Sequence, residues 1–384
     1  MTRIYLDYNA TAPLRPQARA AMLAALEGPG NPSSVHAEGR TAKALLEQAR
    51  RQIAAGLATA PRNVIFTSGA TEAANLALTP DWRREGADAP LDALLIGAGE
   101  HAAVLQGHRF APEAVEKIPL TPAGALSLEA LEDALARLAP RRVMLALQAV
   151  NNETGVIQPV AEAAALVHAA GGLLVCDATQ AVGRIDASFA ALGADVVFFS
   201  SHKLGGPLGA GALAVAREAL HINAVLIRGG GQEFGRRAGT ENIPAISGFA
   251  AAFEAALSGR EEEVGRLAVM RDVLETRITE IAPDARFFGR EAARAGNVSA
   301  FAFPGLSAQT LLMALDLAGV AVSSGSACSS GKVKESHVLA AMGAKEKEAL
   351  RVSLGWSSRQ EDVEQFGMVL ADVVSRIGSR RSVA

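Results

Sequence analysis

Only two cysteines, Cys176 and Cys328, occur among the 384 residues. So few thiols exclude a disulfide framework, a four-thiolate zinc site and a four-thiolate iron–sulfur cluster built from this chain alone. No charge sign dominates: 37 Lys and Arg stand against 40 Asp and Glu, a formal net charge of −3. That balance gives no general electrostatic drive toward nucleic acid or an anionic membrane. Long apolar runs are missing too. The longest uncharged stretch, 295–315, is interrupted by Asn297, Pro304, Gly305, Ser307 and Gln309, which argues against a membrane span. The first residues show no apolar signal core and no small-residue cleavage site, so a cytoplasmic setting is expected, where a thiol stays reduced. Neither a Walker phosphate loop nor a Gly-x-Gly-x-x-Gly turn after the first strand is present, and no fixed-period repeat is found.

What is present is an ordinary globular composition, 49% hydrophobic, with ample material for a large core. Short β-rich runs alternate with longer Ala/Leu/Glu/Arg runs, the pattern of an α/β fold. Strands are expected at 63–67, 93–97, 142–147, 173–176 and 196–199. Their almost wholly apolar character suits a mostly parallel sheet covered on both faces. Residues 40–58 read as an amphipathic helix. The charged segment 261–280 reads as a connecting helix. Beyond it come a strand at 297–303, a helix at 307–317, a strand at 351–354 and a last helix from Gln360. A large α/β domain over 15–258 is therefore expected, with 1–14 and 259–384 forming a smaller α+β domain.

Two strand ends carry the strongest chemical signal. One reads Val175-Cys176-Asp177-Ala178-Thr179-Gln180, the other Phe199-Ser200-Ser201-His202-Lys203. Ligands of parallel sheets sit beyond the carboxyl ends of strands. A lysine emerging there has its charged form disfavoured and becomes a usable amine nucleophile. An aspartate there could face the ring nitrogen of pyridoxal phosphate and keep it protonated; a structural Asp–Lys ion pair is the plainer alternative. Ser68-Gly69-Ala70-Thr71 follows a strand and opens a helix, so it could hold a phosphate or simply cap the helix. Ser200 and His202 could add donors. His101 could stack on a ring or move a proton. Arg351 could clamp a carboxylate or pair with a neighbouring acid. Asn151-Asn152-Glu153 could bind ligand or make a turn. Cys176 lies among apolar neighbours and reads as a packing residue. Cys328, in Ser323-Ser324-Gly325-Ser326-Ala327-Cys328-Ser329-Ser330-Gly331, reads as an exposed loop thiol open to chemistry.

With these motifs the chain resembles the class I (NifS/IscS-type) cysteine desulfurases of the pyridoxal-phosphate-dependent aminotransferase class V family. The resemblance runs nearly end to end. It includes Tyr5-Leu6-Asp7-Tyr8-Asn9-Ala10-Thr11, Gly30-Asn31-Pro32-Ser33-Ser34, Thr67-Ser68-Gly69-Ala70-Thr71-Glu72, Gly229-Gly230-Gly231-Gln232-Glu233 and Arg237-Ala238-Gly239-Thr240. It implies the type I aminotransferase fold, with a seven-stranded sheet in the large domain, and a homodimer with active sites at the subunit interface. Pyridoxal 5'-phosphate would be the cofactor, bonded covalently to Lys203. Asp177 would pair with its ring nitrogen, Gln180 with its phenolic oxygen, and His101 would stack on the ring. Ala70, Thr71, Ser200 and His202 would surround the phosphate, with Thr240 arriving from the partner subunit. Asn152, Arg351 and Asn31 would hold the carboxylate of L-cysteine. Cys328 would accept the sulfur as a persulfide and pass it to an iron–sulfur scaffold or another acceptor. A selenocysteine lyase or cysteine-sulfinate desulfinase on the same fold is the alternative. The chain departs from the family pattern at Ser201, where glycine is usual, at Leu208, where lysine is common, and in the more basic stretch after Gly331.

Overall fold

The computed structural model describes residues 3–84, 90–324 and 335–381. Its centre is a seven-stranded sheet. In spatial order the strands are Val64–Thr67, Gly211–Val215, Val196–Ser200, Leu173–Asp177, Val143–Gln148, Ala93–Gly97 and Val115–Ile118. The last five in that order run parallel; Gly211–Val215 is antiparallel to both of its neighbours. The register brings Gln148, Asp177 and Phe198 side by side at the carboxyl ends.

Alternation along these strands feeds two apolar layers. Leu174, Cys176, Val197 and Phe199 pack on one face against Ile53 and Leu57 of helix Ala37–Leu57 and Phe249 and Phe253 of helix Ile243–Ser258. Val175, Val196 and Phe198 pack on the other against Ala73 and Leu76 of helix Ala70–Ala77 and against Trp82. Both faces are covered, which explains why the strands lack a polar side.

A second, four-stranded antiparallel sheet has the order Arg286–Phe288, Val298–Ala302, Leu350–Ser353, Ser323–Ser324. Helices Arg260–Ile281, Ala308–Leu317 and Gln360–Arg381 cover it through Leu274, Ile278, Leu311, Leu315, Phe366 and Leu370. The N-terminal strand Ile4–Tyr5 runs parallel to Val320–Ala321, and Asp7 bridges Ser353. Among the described residues, no helix is long and apolar enough to cross a membrane.

The strand expectations hold to within a residue or so at each end. Two strands of the large sheet were not anticipated. Gly211–Val215 is too small-sided to stand out from the glycine-rich segment before it. Val115–Ile118 is an edge strand carrying Glu116 and Lys117. The 40–58 helix starts earlier, at Ala37, because His36 caps it by accepting from Gly39 N at 3.3 Å.

One buried ion pair ties a long loop to the sheet edge. The guanidinium of Arg50 donates to both carboxylate oxygens of Glu233, at 2.7 and 2.9 Å, and to Val64 O at 2.7 Å. Phe66 N donates to the same carboxylate at 2.9 Å. Glu233 and Phe234 sit at φ of 47° and 59°, an uncommon conformation that this anchoring maintains. Replacing Glu233 with alanine strands a buried guanidinium, so unfolding stability should fall by about 3–5 kcal/mol. The fall is read as a lower urea midpoint. The double variant Arg50→Met with Glu233→Met should lose clearly less than the two single losses together.

Candidate active site

The carboxyl ends of the parallel strands open into a cavity of about 850 Å³. Strand Leu173–Asp177 delivers Asp177 to it, and the 3-10 turn Ser201–Lys203 after Val196–Ser200 delivers His202 and Lys203. Lys203 Nζ donates to Asn9 O at 2.7 Å and Ala10 O at 2.8 Å. Its pKa is lowered to about 8, first by burial, then by the like charges of Arg351 and Arg184, with Asp7 and Asp177 opposing. Asp177 Oδ1 accepts from Thr179 N at 2.8 Å, while Oδ2 accepts nothing from the described residues. Burial raises the Asp177 pKa against the pull of the Thr179 side chain and backbone, His101 and Lys203. A ligand cation facing Oδ2 would favour the carboxylate.

His101 sits on the cavity wall, its Nδ1 accepting from Ala103 N at 3.1 Å. Its pKa is lowered, mainly because the surrounding protein withholds water; Asp177 opposes, and Lys203 and His337 add to the lowering. The lowering favours the uncharged imidazole. Gln180 donates from Nε2 to Asn9 O at 3.0 Å. Arg351 donates to Asp7 Oδ1 at 2.9 Å and to Asn152 O at 3.1 Å, and its Nε is buried without a partner. Of the two readings of Arg351, the ion pair to an acid is the one visible here; a substrate carboxylate would exchange with these partners.

At the other end of the cavity, helix Ala70–Ala77 begins with first-turn N–H groups that have no intrahelical acceptor. The hydroxyls of Thr71 and Ser200 and the imidazole of His202 join them on the cavity wall. His202 is pushed down to about 4, by burial and then by Lys203, and its Nδ1 meets Thr11 Oγ1 at 3.1 Å. Close packing fixes this turn: a Cβ on Gly211 would stand 2.6 Å from Gly69 Cα. Glu72 sits in the same first turn, but Arg237 neutralises it through contacts of 2.9 and 3.3 Å. Burial favours protonation of Glu72, yet the bonds from Arg237 and Ser68 prevail and lower its pKa. An anion therefore meets donors here and no free carboxylate charge.

Ala70, Thr71, His101, Asn152 and Asp177 are thus brought together with Gln180, Ser200, His202, Lys203 and Arg351 around one cavity. Asn31 is not among them. It is exposed, and its Oδ1 accepts from Ser33 N at 2.9 Å within its own turn. Thr240 is exposed and also lies outside this chain's cavity lining. Cys328 lies outside the described residues. Cys176 is fully buried, and burial pushes its thiol well above the usual range. Ser201 is fully buried with its Oγ unpartnered, and Leu208 lines the cavity while largely exposed.

Sequence reading missed four groups. Asp7 was quoted in a motif without a role. Arg184 bonds Gln180. His337 donates to Glu100 O at 2.9 Å. Glu100 itself is completely buried, with Oε1 accepting from Gln148 N at 2.8 Å and Oε2 unpartnered. Burial pushes the Glu100 carboxyl well above its usual range, with the bond from Gln148 N opposing and Asp177 adding to the rise. Its position next to His101 in the chain was the only available signal. Reductive methylation followed by peptide mapping should find Lys203 reactive with a midpoint near 8 rather than 10.5. Arg351→Met should raise that midpoint, because it removes a cation that disfavours the ammonium.

The aminotransferase class-V family model matches residues 4–366. A cysteine desulfurase of Cereibacter sphaeroides is 39% identical, covering 98% of this chain and 97% of the relative. An IscS-like cysteine desulfurase of Mycobacterium tuberculosis is 37% identical, covering 97% and 96%. Among solved structures, a NifS-like protein from Rickettsia africae superposes with a TM-score of 0.86 at 31% identity, covering 97% of this chain and 99% of that one. Matched over nearly its whole length and folded like a NifS-type protein, the chain belongs to the aminotransferase class-V family, alongside relatives that are cysteine desulfurases.

Proposed function

We propose that this protein is a cysteine desulfurase that uses pyridoxal 5'-phosphate to take sulfur from L-cysteine, leaving L-alanine and a persulfide on Cys328. The convergence of Asp177, Lys203 and His101 in one cavity carries the reading. The donor set fits the cofactor end to end: an anion turn at Ala70–Thr71 with Ser200 and His202, an amine at Lys203 and an acceptor at Asp177. Bound there, the cofactor would supply an aldehyde that forms imines with amines and a ring that withdraws electrons from the substrate's Cα.

The chain's own groups do the rest. Lys203, with its pKa near 8, releases a proton readily and is suited to move the Cα proton once its amine is free. Asp177 Oδ2 offers a carboxylate to the ring nitrogen. His101 would cover the ring, and Gln180 Nε2 would offer a donor to its phenolic oxygen. Arg351 and Asn152 orient the substrate carboxylate. The Cys328 thiolate attacks the substrate sulfur: an S–S bond forms as the C–S bond breaks, the carbon side keeps the electron pair, and protonation there gives alanine. A free thiol has a pKa of about 8.5, so a nearby cation would raise its thiolate fraction.

The reading extends to assembly. The chain divides into a large unit over 15–258 and a smaller one formed by 1–14 and 259–384. It acts as a cytoplasmic homodimer in which Thr240 completes the partner's phosphate site. The exposed apolar Leu226, Ile227 and Phe234 on the same segment as Thr240 suit such an interface. An iron–sulfur scaffold or another sulfur-acceptor protein takes the persulfide.

Cys328→Ser should keep the cofactor's colour yet lose alanine formation from cysteine by about 10³-fold or more, the scale of removing a covalent nucleophile. Parent-rate desulfuration would instead favour a lyase that needs no enzyme thiol. Borohydride reduction and peptide mapping should place the cofactor adduct on Lys203.

A further inference from the structure

We infer that Arg184 is a positioning residue whose guanidinium decides which end of the Gln180 amide faces the cavity. Gln180 is buried, and its amide has a donor end and an acceptor end of nearly the same shape. Arg184 Nη1 donates to Gln180 Oε1 and, at 3.1 Å, to Gln180 O. A guanidinium only donates, so it selects the carbonyl end. At the opposite end Gln180 Nε2 donates to Asn9 O at 3.0 Å, and a main-chain carbonyl only accepts. A reversed amide would set donor against donor and acceptor against acceptor, losing both bonds together.

The backbone is shaped for this contact. Gly183 has a φ of +77°, and a Cβ there would stand 2.9 Å from Ala256 Cβ. The glycine lets the chain turn back so that Arg184 reaches the residue four positions earlier. The same arginine lines a small cavity of about 30 Å³ together with Arg15 and Glu263, which are themselves bonded at 3.0 Å. Glu263, from helix Arg260–Ile281, offsets the charge of Arg184, whereas Arg351 opposes it. Lys203 lines both the small cavity and the large one.

The inference rests on the functional reading above, in which Gln180 Nε2 meets the phenolic oxygen of the cofactor. A donor there draws charge from that oxygen, so the imine nitrogen beside it holds its proton less tightly. Without Arg184 only the bond from Nε2 to Asn9 O still selects this orientation, so the donor is offered to the oxygen less firmly and the nitrogen's proton is held more tightly. Arg351, Asp177, Asp7, His101 and His202 also act on this proton and are unchanged in the variants, whereas the charge of Arg184 acts on it directly as well and is kept only in Arg184→Lys.

The test is a pH titration of the visible absorption of full-length protein loaded with pyridoxal 5'-phosphate. Arg184→Met should raise the midpoint by about 0.5–1 unit. Arg184→Lys, which keeps a donor, should stay at the wild-type value. In a Gln180→Ala background, Arg184→Met should move the midpoint clearly less than in the parent, the remainder being the direct loss of the arginine's charge. Should Arg184→Met not fold, Arg184→Gln is expected to give a smaller shift of the same sign. An unmoved midpoint in whichever of these two is measured overturns the inference, as does a full shift that persists in the Gln180→Ala background. A purely structural role would lower thermal stability and leave the midpoint in place. If wild-type protein develops no cofactor absorption, the functional reading falls with the inference; if only the midpoint fails to move, the inference alone falls.

Discussion

An amine taken out of water must be given acceptors, and Lys203 receives two main-chain carbonyls, those of Asn9 and Ala10. The strand that delivers Lys203 belongs to the seven-stranded sheet, but the carbonyls belong to the N-terminal segment, which starts from the other sheet's side. That segment is held by many bonds. Asn9 Nδ2 donates to Asn152 O at 3.1 Å, Asn9 N to Ser353 Oγ at 2.9 Å, and Asn297 Nδ2 to Asn9 Oδ1 at 3.0 Å. Asp7 pairs with Arg351. The two sheets are therefore stitched together at the reactive amine, and a shift between them would alter its pKa as well as its position.

The charges around the amine are arranged to the same end. Arg351 and Arg184 disfavour the ammonium more than burial alone would, and Asp7 and Asp177 keep it from being lost altogether. Burial also raises the pKa of Glu100, which favours its uncharged form close to Asp177. What remains is a cavity that sets Lys203, Arg351 and the first-turn N–H groups of helix Ala70–Ala77 beside Asp177, with Glu72 paired to Arg237.

How far this could be read in the sequence follows from the range of each interaction. The buried strands show themselves as apolar runs, and the chemistry at their ends shows as Asp177 and Lys203, because those signals are local. The resemblance to NifS/IscS-type enzymes then supplied roles for His101, Gln180 and Thr71. Asp7, Arg184 and Glu100 stayed hidden, since each acts through a partner made adjacent only by folding: Asp7 pairs with Arg351 across 344 positions. Asn31 does not line this chain's cavity, and its Oδ1 accepts within its own turn. The strand Gly211–Val215 was missed because its small side chains, which allow the close approach of Gly69, carry little strand signal.

The loop between Gly229 and Thr240 shows how one segment can serve two demands. Glu233 locks it to the sheet edge through Arg50 and Phe66 N, and Arg237 locks it to Glu72 in the anion turn. Both anchors hold the loop to the chain's own sheet while leaving Gly239 and Thr240 exposed. In the proposed homodimer a loop so pinned would lose little further freedom on meeting a second subunit, so its ordering cost would be met during folding rather than association. Arg237 also neutralises the only acid in the first turn of the helix after the anion turn, so the loop that would complete a partner's phosphate site prepares its own chain's site at the same time.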